Sequence, residues 1–362
     1  MKTIGIDARL YSQTGVGTYL RNFLHFLAQK DFTDIHFILY LLEGEKVTFE
    51  NTAFEKRFVP YRWHSFSEQI GFYNKLMEDN PDLMHFTYFS YPVRYTKPFI
   101  ATVHDLTPIQ FKTGKASTRN PLFYGIKHEA FKFVLGSQVK NAKKIITPTE
   151  TVKQQILEQY PHIQKDKIEA IYEGVDYELA ETKENTELKA KYKKPFFLYV
   201  GNFYPHKNVS TLITAFKMVP DQYDLVLSGP QDFFAAKMQS LIKELGLEKR
   251  VHMHHSSGKE NLKYFYNHAE ALIHPSLSEG FGLPLVEAMA VDLPIIASDI
   301  PVFKELLPAN TPVFDPHSAT EIARTVQNYL KTANKPDYKA IIPRYSFEKM
   351  TDKTLELYKS LL

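Results

Sequence analysis

Residues 271–290 read ALIHPSLSEGFGLPLVEAMA. The opening ALIHP is a short apolar run of the kind that forms a buried strand. Pro284 followed by LVEAMA opens a helix, since proline in the first helical turn forfeits no hydrogen bond. Gly280 and Gly282 between them permit a tight strand-to-helix turn. Strand, glycine turn and helix make half of a parallel βαβ unit, and this unit sets the fold class for the chain around it. Two glutamates flank the turn: Glu279 lies within it and Glu287 one turn into the helix. A helix head with open amides suits an anion, and carboxylates beside it suit a ligand rich in hydroxyls. In isolation the plainer reading is a helix start whose acidic residues answer the macrodipole.

Outward from that stretch the same alternation continues. Before it come PFFLYVGN, a helix at 208–219, YDLVLSGP, a helix at 233–246, VHMHH and a helix at 259–268; after it come PIIASD, PVFDP and a helix at 318–332. The first half repeats the pattern: KTIGID, a helix from about Gly17 to Gln29, IHFILYLL, KRFVPY, a helix across SEQIGFYNKLMEDN, DLMHFTYF, FIATVHDL, a helix near 119–141 and KKIITPT. Apolar runs alternating with amphipathic helices predict parallel sheets covered on both faces. The expected organisation is an N-terminal Rossmann-like domain over 1–178, a polar linker over 179–194 (LAETKENTELKAKYKK), a second Rossmann-like domain over 195–345, and a C-terminal helix over 346–362 packing back on the first domain. Ligand sites in such doubly wound domains lie at the strands' C-terminal ends, so the two are expected to face each other across a cleft.

Composition narrows the function. The chain has 362 residues, 44% hydrophobic and 23% charged, which is the make-up of a folded protein of two domains. With no cysteine there are no disulfides or thiolate metal sites, and a reducing, cytoplasmic setting is expected. MKTIGIDARL, with Asp7 and Arg9, does not read as a secretory signal. The net charge of +3 is too small to imply nucleic acid. The loop Thr14–Gly15–Val16–Gly17 is not a G-x-G-x-x-G fingerprint, and there is neither a GxxxxGK[ST] nor a D-x-D. A dehydrogenase, a P-loop enzyme and an aspartate-held metal are therefore disfavoured. His252, His254 and His255 look like a metal cluster, but strand alternation puts His255 on the opposite face from the other two.

GIDARLYSQTGVGTYLRNFLHFL, TVHDLTP, TPTETVKQQI, EGVD, YVGNFYPHKN and PSLSEGFGLPLVEAMA occur in that order. Together they resemble family 4 of the retaining glycosyltransferases, with the GT-B fold of two Rossmann-like domains, over nearly the whole chain. The TGVGTY and VHDLTP variants resemble bacterial polysaccharide mannosyltransferases. The resemblance implies transfer of a sugar, with mannose from GDP-mannose favoured, from a nucleotide-diphospho-sugar to a glycan or lipid-linked acceptor, with no further cofactor and no metal. It implies that Glu279 accepts hydrogen bonds from donor-sugar hydroxyls and that Glu287 takes both ribose hydroxyls. Amides of Gly280, Phe281, Gly282 and Leu283 would meet sugar and phosphate. Lys207 would meet the diphosphate as a compact cation, Gly15 would let the diphosphate approach the backbone, and His104 would reach the sugar and leaving phosphate. By the same likeness SSGKENL, residues 256–262, would line the nucleobase pocket.

One departure stands out. The family pairs its lysine with an arginine shortly after the strand glycine, where this chain has Asn202 and Phe203. A nucleotide-sugar epimerase on the same fold, and a non-catalytic nucleotide-sugar-binding partner of another transferase, stay open as alternatives. TYFSYP, residues 87–92, is either an acceptor platform or a strand end packed in the core. From Lys112 to Lys144 eight Lys/Arg face one acid, Glu129, interleaved with Phe123, Tyr124, Phe131 and Phe133. That pattern fits peripheral contact with an anionic membrane, and equally a helix whose aromatics pack inward on the sheet.

Overall fold

The computed structural model describes every residue except 48–50, 112–120, 256–257 and 334, and leaves undescribed the side chains at 110, 121–124, 126 and 127. It divides into two units.

The first comprises Met1–Gln110, residues 121–174 and Ser346–Leu362. Its sheet has seven strands: β1 (Lys2–Asp7), β2 (Ile35–Leu42), β3 (Phe54–Val59), β4 (Leu83–Phe86), β5 (Phe99–Thr102), β6 (Lys144–Thr147) and β7 (Ile168–Ala170), in the order β3-β2-β1-β4-β5-β6-β7. β4 and β5 are buried at every position, as strands covered on both faces are, and they read as apolar runs broken only by His85 and Thr102. The helix Val16–Ala28 sinks Tyr19, Leu20, Phe23, Leu24 and Leu27 into this unit at helical spacing.

The second unit comprises Phe111 and Val175–Tyr345. Its strands are β8 (Phe196–Val200), β9 (Asp224–Ser228), β10 (Val251–His254), β11 (Leu272–His274), β12 (Ile295–Ser298) and β13 (Val313–Phe314), ordered β10-β9-β8-β11-β12-β13. The described strand pairs of both sheets are parallel. In each sheet the chain steps outward from its first strand and then returns to that strand's other side. The reversals fall between β1 and β4 and between β8 and β11. There, successive loops leave the C-terminal ends in opposite directions and open a crevice.

The units divide at Gly174–Val175, a few residues ahead of the boundary expected at 178. Residues 179–194 are not a loose tether. They form the short helices Tyr177–Glu181 and Leu188–Lys191, with Leu179, Leu188 and Tyr192 buried in the second unit. Glu184 bonds Asn267 and His268, and Asn185 bonds Asn261, which fastens the stretch to the helix Lys259–His268. Few large apolar residues are present, but Leu179, Leu188 and Tyr192 are each buried, and composition alone hides that. At the C-terminus, Ser346 caps the helix Phe347–Leu361, which buries Phe347, Met350 and Tyr358 in the first unit. A Cβ at Gly174 would lie 2.3 Å from the Phe347 nitrogen, so the end of the first unit's last loop has room only for glycine.

Candidate active site

In the second unit, the loop after β8 carries Lys207 in the turn Pro205–Lys207. The next residue, Asn208, is left-handed (φ 58°), and its side-chain Nδ2 donates to the carbonyls of Pro275 at 3.1 Å and Pro316 at 2.6 Å. The Leu277 amide returns the tie by donating to the His206 carbonyl at 2.8 Å. Stitched in this way, the loops after β8 and β11 bring Lys207 and Glu279 together across the strand-order reversal. Lys207 Nζ donates to Glu279 Oε1 at 2.6 Å and Oε2 at 2.7 Å. Glu279 Oε1 also accepts from Ser276 Oγ at 2.7 Å and meets His274 Nε2 at 3.1 Å.

Burial alone favours the neutral form of Glu279. The Lys207 ammonium, with His274 second, outweighs it and holds the carboxyl well below the usual range. His274 is fully buried, its ring stacked on Tyr199, and burial pushes its basicity down against the pull of Glu279. Its Nδ1 has no partner among the described residues, which fits a neutral ring donating from Nε2.

Gly282 takes φ 105° at the head of the helix Leu283–Ala290, and a Cβ there would press on Phe303 at 3.2 Å. Phe281 is buried with its ring edge-on to Tyr345, so the Gly280–Leu283 turn offers a ligand its backbone rather than that side chain. Glu287 is buried one turn into the helix, where Oε2 accepts from the Tyr266 hydroxyl at 2.6 Å. Burial raises its pKa, and Tyr266 and Lys259 pull it only part of the way back.

In the first unit, Gly15 has φ 68° at the head of the helix Val16–Ala28, and a Cβ there would meet nothing within 4 Å. The backbone, not crowding, requires glycine, and the space beside it is open. His104 follows β5, buried, with Nδ1 3.2 Å from Glu173 Oε1 and Nε2 3.0 Å from the Thr87 carbonyl.

Other features resolve toward structure. In TYFSYP, Thr87, Phe89, Ser90 and Tyr91 are buried in the core, and Tyr88 lies against Phe89. His252 pairs with Asp224, His254 with the Tyr192 hydroxyl and His255 with the Gly229 carbonyl. At the place of the missing arginine, Phe203 is buried and Asn202 accepts from the Tyr204 amide. Residues 256–257 of the expected nucleobase segment lie outside the described residues, as do Lys112, Lys115 and Arg119 of the basic stretch.

Sequence reasoning missed Asn208, Tyr266, His274, Ser276 and Glu173. His274 and Ser276 stand inside the quoted stretch, and a polar residue ending an apolar strand at a sheet's C-terminal edge was the available signal. Tyr266 sits in the helix Lys259–His268, where nothing in its spacing points to Glu287.

The sequence model described as Glycosyltransferase Family 4 matches residues 13–179, and that described as Glycosyl transferases group 1 matches residues 180–343. The chain belongs to glycosyltransferase family 4. It is a transferase enzyme, and its fold is GT-B. The O-antigen chain mannosyltransferase RfbU of Salmonella typhimurium is 29% identical over 301 residues, 83% of this chain and 80% of that relative. Among solved structures, the transferase is similar in fold to sucrose-phosphate synthase from Thermosynechococcus elongatus (TM-score 0.78, 19% identity, 100% of this chain and 99% of that one). Anabaena Alr3699/HepE, solved in complex with UDP and glucose, matches with TM-score 0.74 and 16% identity over 99% of this chain and 100% of that one. No described helix is long and apolar enough to cross a membrane.

Proposed function

We propose that this transferase moves mannose, with retention of configuration, from GDP-mannose to a hydroxyl of a polysaccharide or lipid-linked glycan. The observation that carries the proposal is the Lys207–Glu279 pair beside the Gly280–Leu283 turn. It joins a compact cation suited to a leaving diphosphate to a fixed carboxylate suited to sugar hydroxyls. The likeness to RfbU supports mannose and a polysaccharide acceptor. Glu287, one turn into the helix, supplies a carboxylate for the ribose diol. As the bond from the anomeric carbon to phosphate oxygen breaks, Lys207 and the turn's amides stabilise the developing charge. The acceptor oxygen bonds to the anomeric carbon on the same face, and the departing phosphate takes the acceptor's proton. With the diphosphate neutralised by Lys207 and amides, turnover is independent of added metal.

Peripheral contact with an anionic membrane belongs to the same reading, since a lipid-linked acceptor would reside there. On the helix Pro121–Asn141, Phe133 is exposed, as are Lys140 and Lys143 at and beyond its end, whereas Phe131 packs against the core.

Thermal shift against GDP-mannose, UDP-glucose and other nucleotide sugars tests the donor, because a bound ligand raises the melting temperature by mass action. GDP-mannose should give the largest shift, and turnover should survive EDTA with an α-linked product. A UDP-sugar giving the larger shift would discard mannose, and activity lost in chelator and restored by magnesium would discard the metal-free chemistry.

A further inference from the structure

We propose that Glu173 is a positioning residue for the transfer reaction, holding the His104 ring in one orientation with a proton on each nitrogen. The proposal rests on the reading of His104 as a group at the reacting sugar, to which a ring with both N–H groups engaged offers its charge. His104 Nδ1 faces the Glu173 carboxylate and Nε2 faces the Thr87 carbonyl, at 3.2 and 3.0 Å. A carbonyl oxygen and a carboxylate both only accept. A neutral imidazole has one N–H and would set its other lone pair against an oxygen, so two protons complete the arrangement.

The scaffold fixes Glu173 from both sides. Ahead of it, the Ile171 amide donates to the Thr147 carbonyl and prolongs the β7 pairing. Behind it, Gly174 is pressed against the first residue of the C-terminal helix, with no room for a side chain. The two side chains are 10% and 7% exposed. The other titratable groups facing the ring are Tyr19, edge-on from the helix Val16–Ala28, and His85 from β4. Burial, with the His104 charge adding to it, pushes His85 down to about 3, so it does not compete for a proton. The Tyr19 hydroxyl is pushed up by burial and stays neutral. Glu173 is thus the carboxylate facing His104 among the described residues. A buried ion pair is a poor stabiliser, because desolvation offsets the attraction. Fixing a ring is the better account of a carboxylate held this tightly.

The test joins nitrogen-15 NMR of histidine-labelled full-length protein to donor turnover with GDP-mannose. In wild type, the His104 resonances, assigned by their loss in His104→Ala, should show a proton on each nitrogen; Glu173→Gln should remove one. The same variant should lower kcat on the order of tenfold, by analogy with carboxylates that orient metal-bound histidines, and leave the donor KM within about twofold. Glu173→Asp should recover part of the loss. In a His104→Ala background Glu173→Gln should cost nothing further, since it acts only through His104. Unchanged His104 signals, an unchanged kcat, or losses that multiply in the double variant would overturn the proposal. If the Gln variant does not fold, the Asp variant in the same two assays decides. Wild type inert toward GDP-mannose would instead discard that donor, and the NMR arm would still judge the pairing.

Discussion

Each unit places a cation paired with a carboxylate after the first strand of its sheet, and the two are built differently. Arg9, two residues past β1, is fully buried and every arm of its fork is used. Nε and Nη2 donate to Asp7 at 2.8 and 2.7 Å, Nη2 to Glu68 at 2.6 Å and Nη1 to the Tyr61 carbonyl at 2.9 Å, with the Phe72 ring 3.9 Å away. Glu68 accepts in turn from Ser90 and from the His64 amide. Lys207 has a single ammonium, 17% exposed, and both its bonds go to one carboxylate. A rigid fork with no open side joins three loops into a scaffold. A compact ammonium at the edge of solvent can exchange a carboxylate for a phosphate. A paired carboxylate is common to the two, so pairing does not mark a site; the open side does.

The sharpest way to break this comparison is Arg9→Met. It leaves Asp7 and Glu68 buried without their cation, and removing one partner of a buried pair costs about 3–5 kcal/mol. Chemical denaturation should show that loss, while the donor KM of the fraction that stays folded should hold. A variant as stable as wild type, or one that loses donor affinity first, would make Arg9 part of the site and erase the contrast.

Lys207→Ala should do the reverse. Loss of one preorganised charge stabiliser costs on the order of a hundredfold in kcat/KM. The fold should suffer less than with Arg9→Met, because Glu279 keeps His274 and Ser276 and lies close to solvent. A loss of stability equal to that of Arg9→Met with activity intact would show Lys207 to be scaffold.

The sequence carried much of this. The glycine turn at 280–282, the positive-φ glycine at the head of the first helix and the alternation of strand and helix are local, and local chemistry is written in neighbouring letters. The Lys207–Glu279 pairing was not legible, because it depends on Asn208 and Leu277 tying together loops from strands that are distant in sequence. The fold of residues 179–194 was hidden for a related reason: its bonds run to the helix Lys259–His268, some eighty residues on. The resemblance supplied Glu287, but not Tyr266, the side chain that holds it.

The smallest expected effect separates the two glutamates by pH. Glu279 is held low, so its contribution to stability is present above the ordinary 4.5 and is lost only as pH falls through its depressed folded value. Glu287 has the opposite sign. Burial raises it, so it takes a proton above 4.5, and its ionisation costs stability as pH rises through that raised value. The ribose diol needs the carboxylate as a double acceptor. Donor affinity should therefore weaken as pH falls through the Glu287 value, while Glu279 remains charged throughout that window. Calorimetric titration with GDP-mannose, whose diphosphate is esterified at both ends and does not titrate there, reads this directly. Glu287→Gln should flatten the limb and weaken binding by roughly tenfold, about 1.4 kcal/mol. Tyr266→Phe removes a hydroxyl that pulls Glu287 down, so it should move the limb to higher pH and leave affinity at pH 8 nearly unchanged. A limb that moves with Lys207→Met instead of Tyr266→Phe would transfer the titration to Glu279 and reverse the roles given to the two carboxylates.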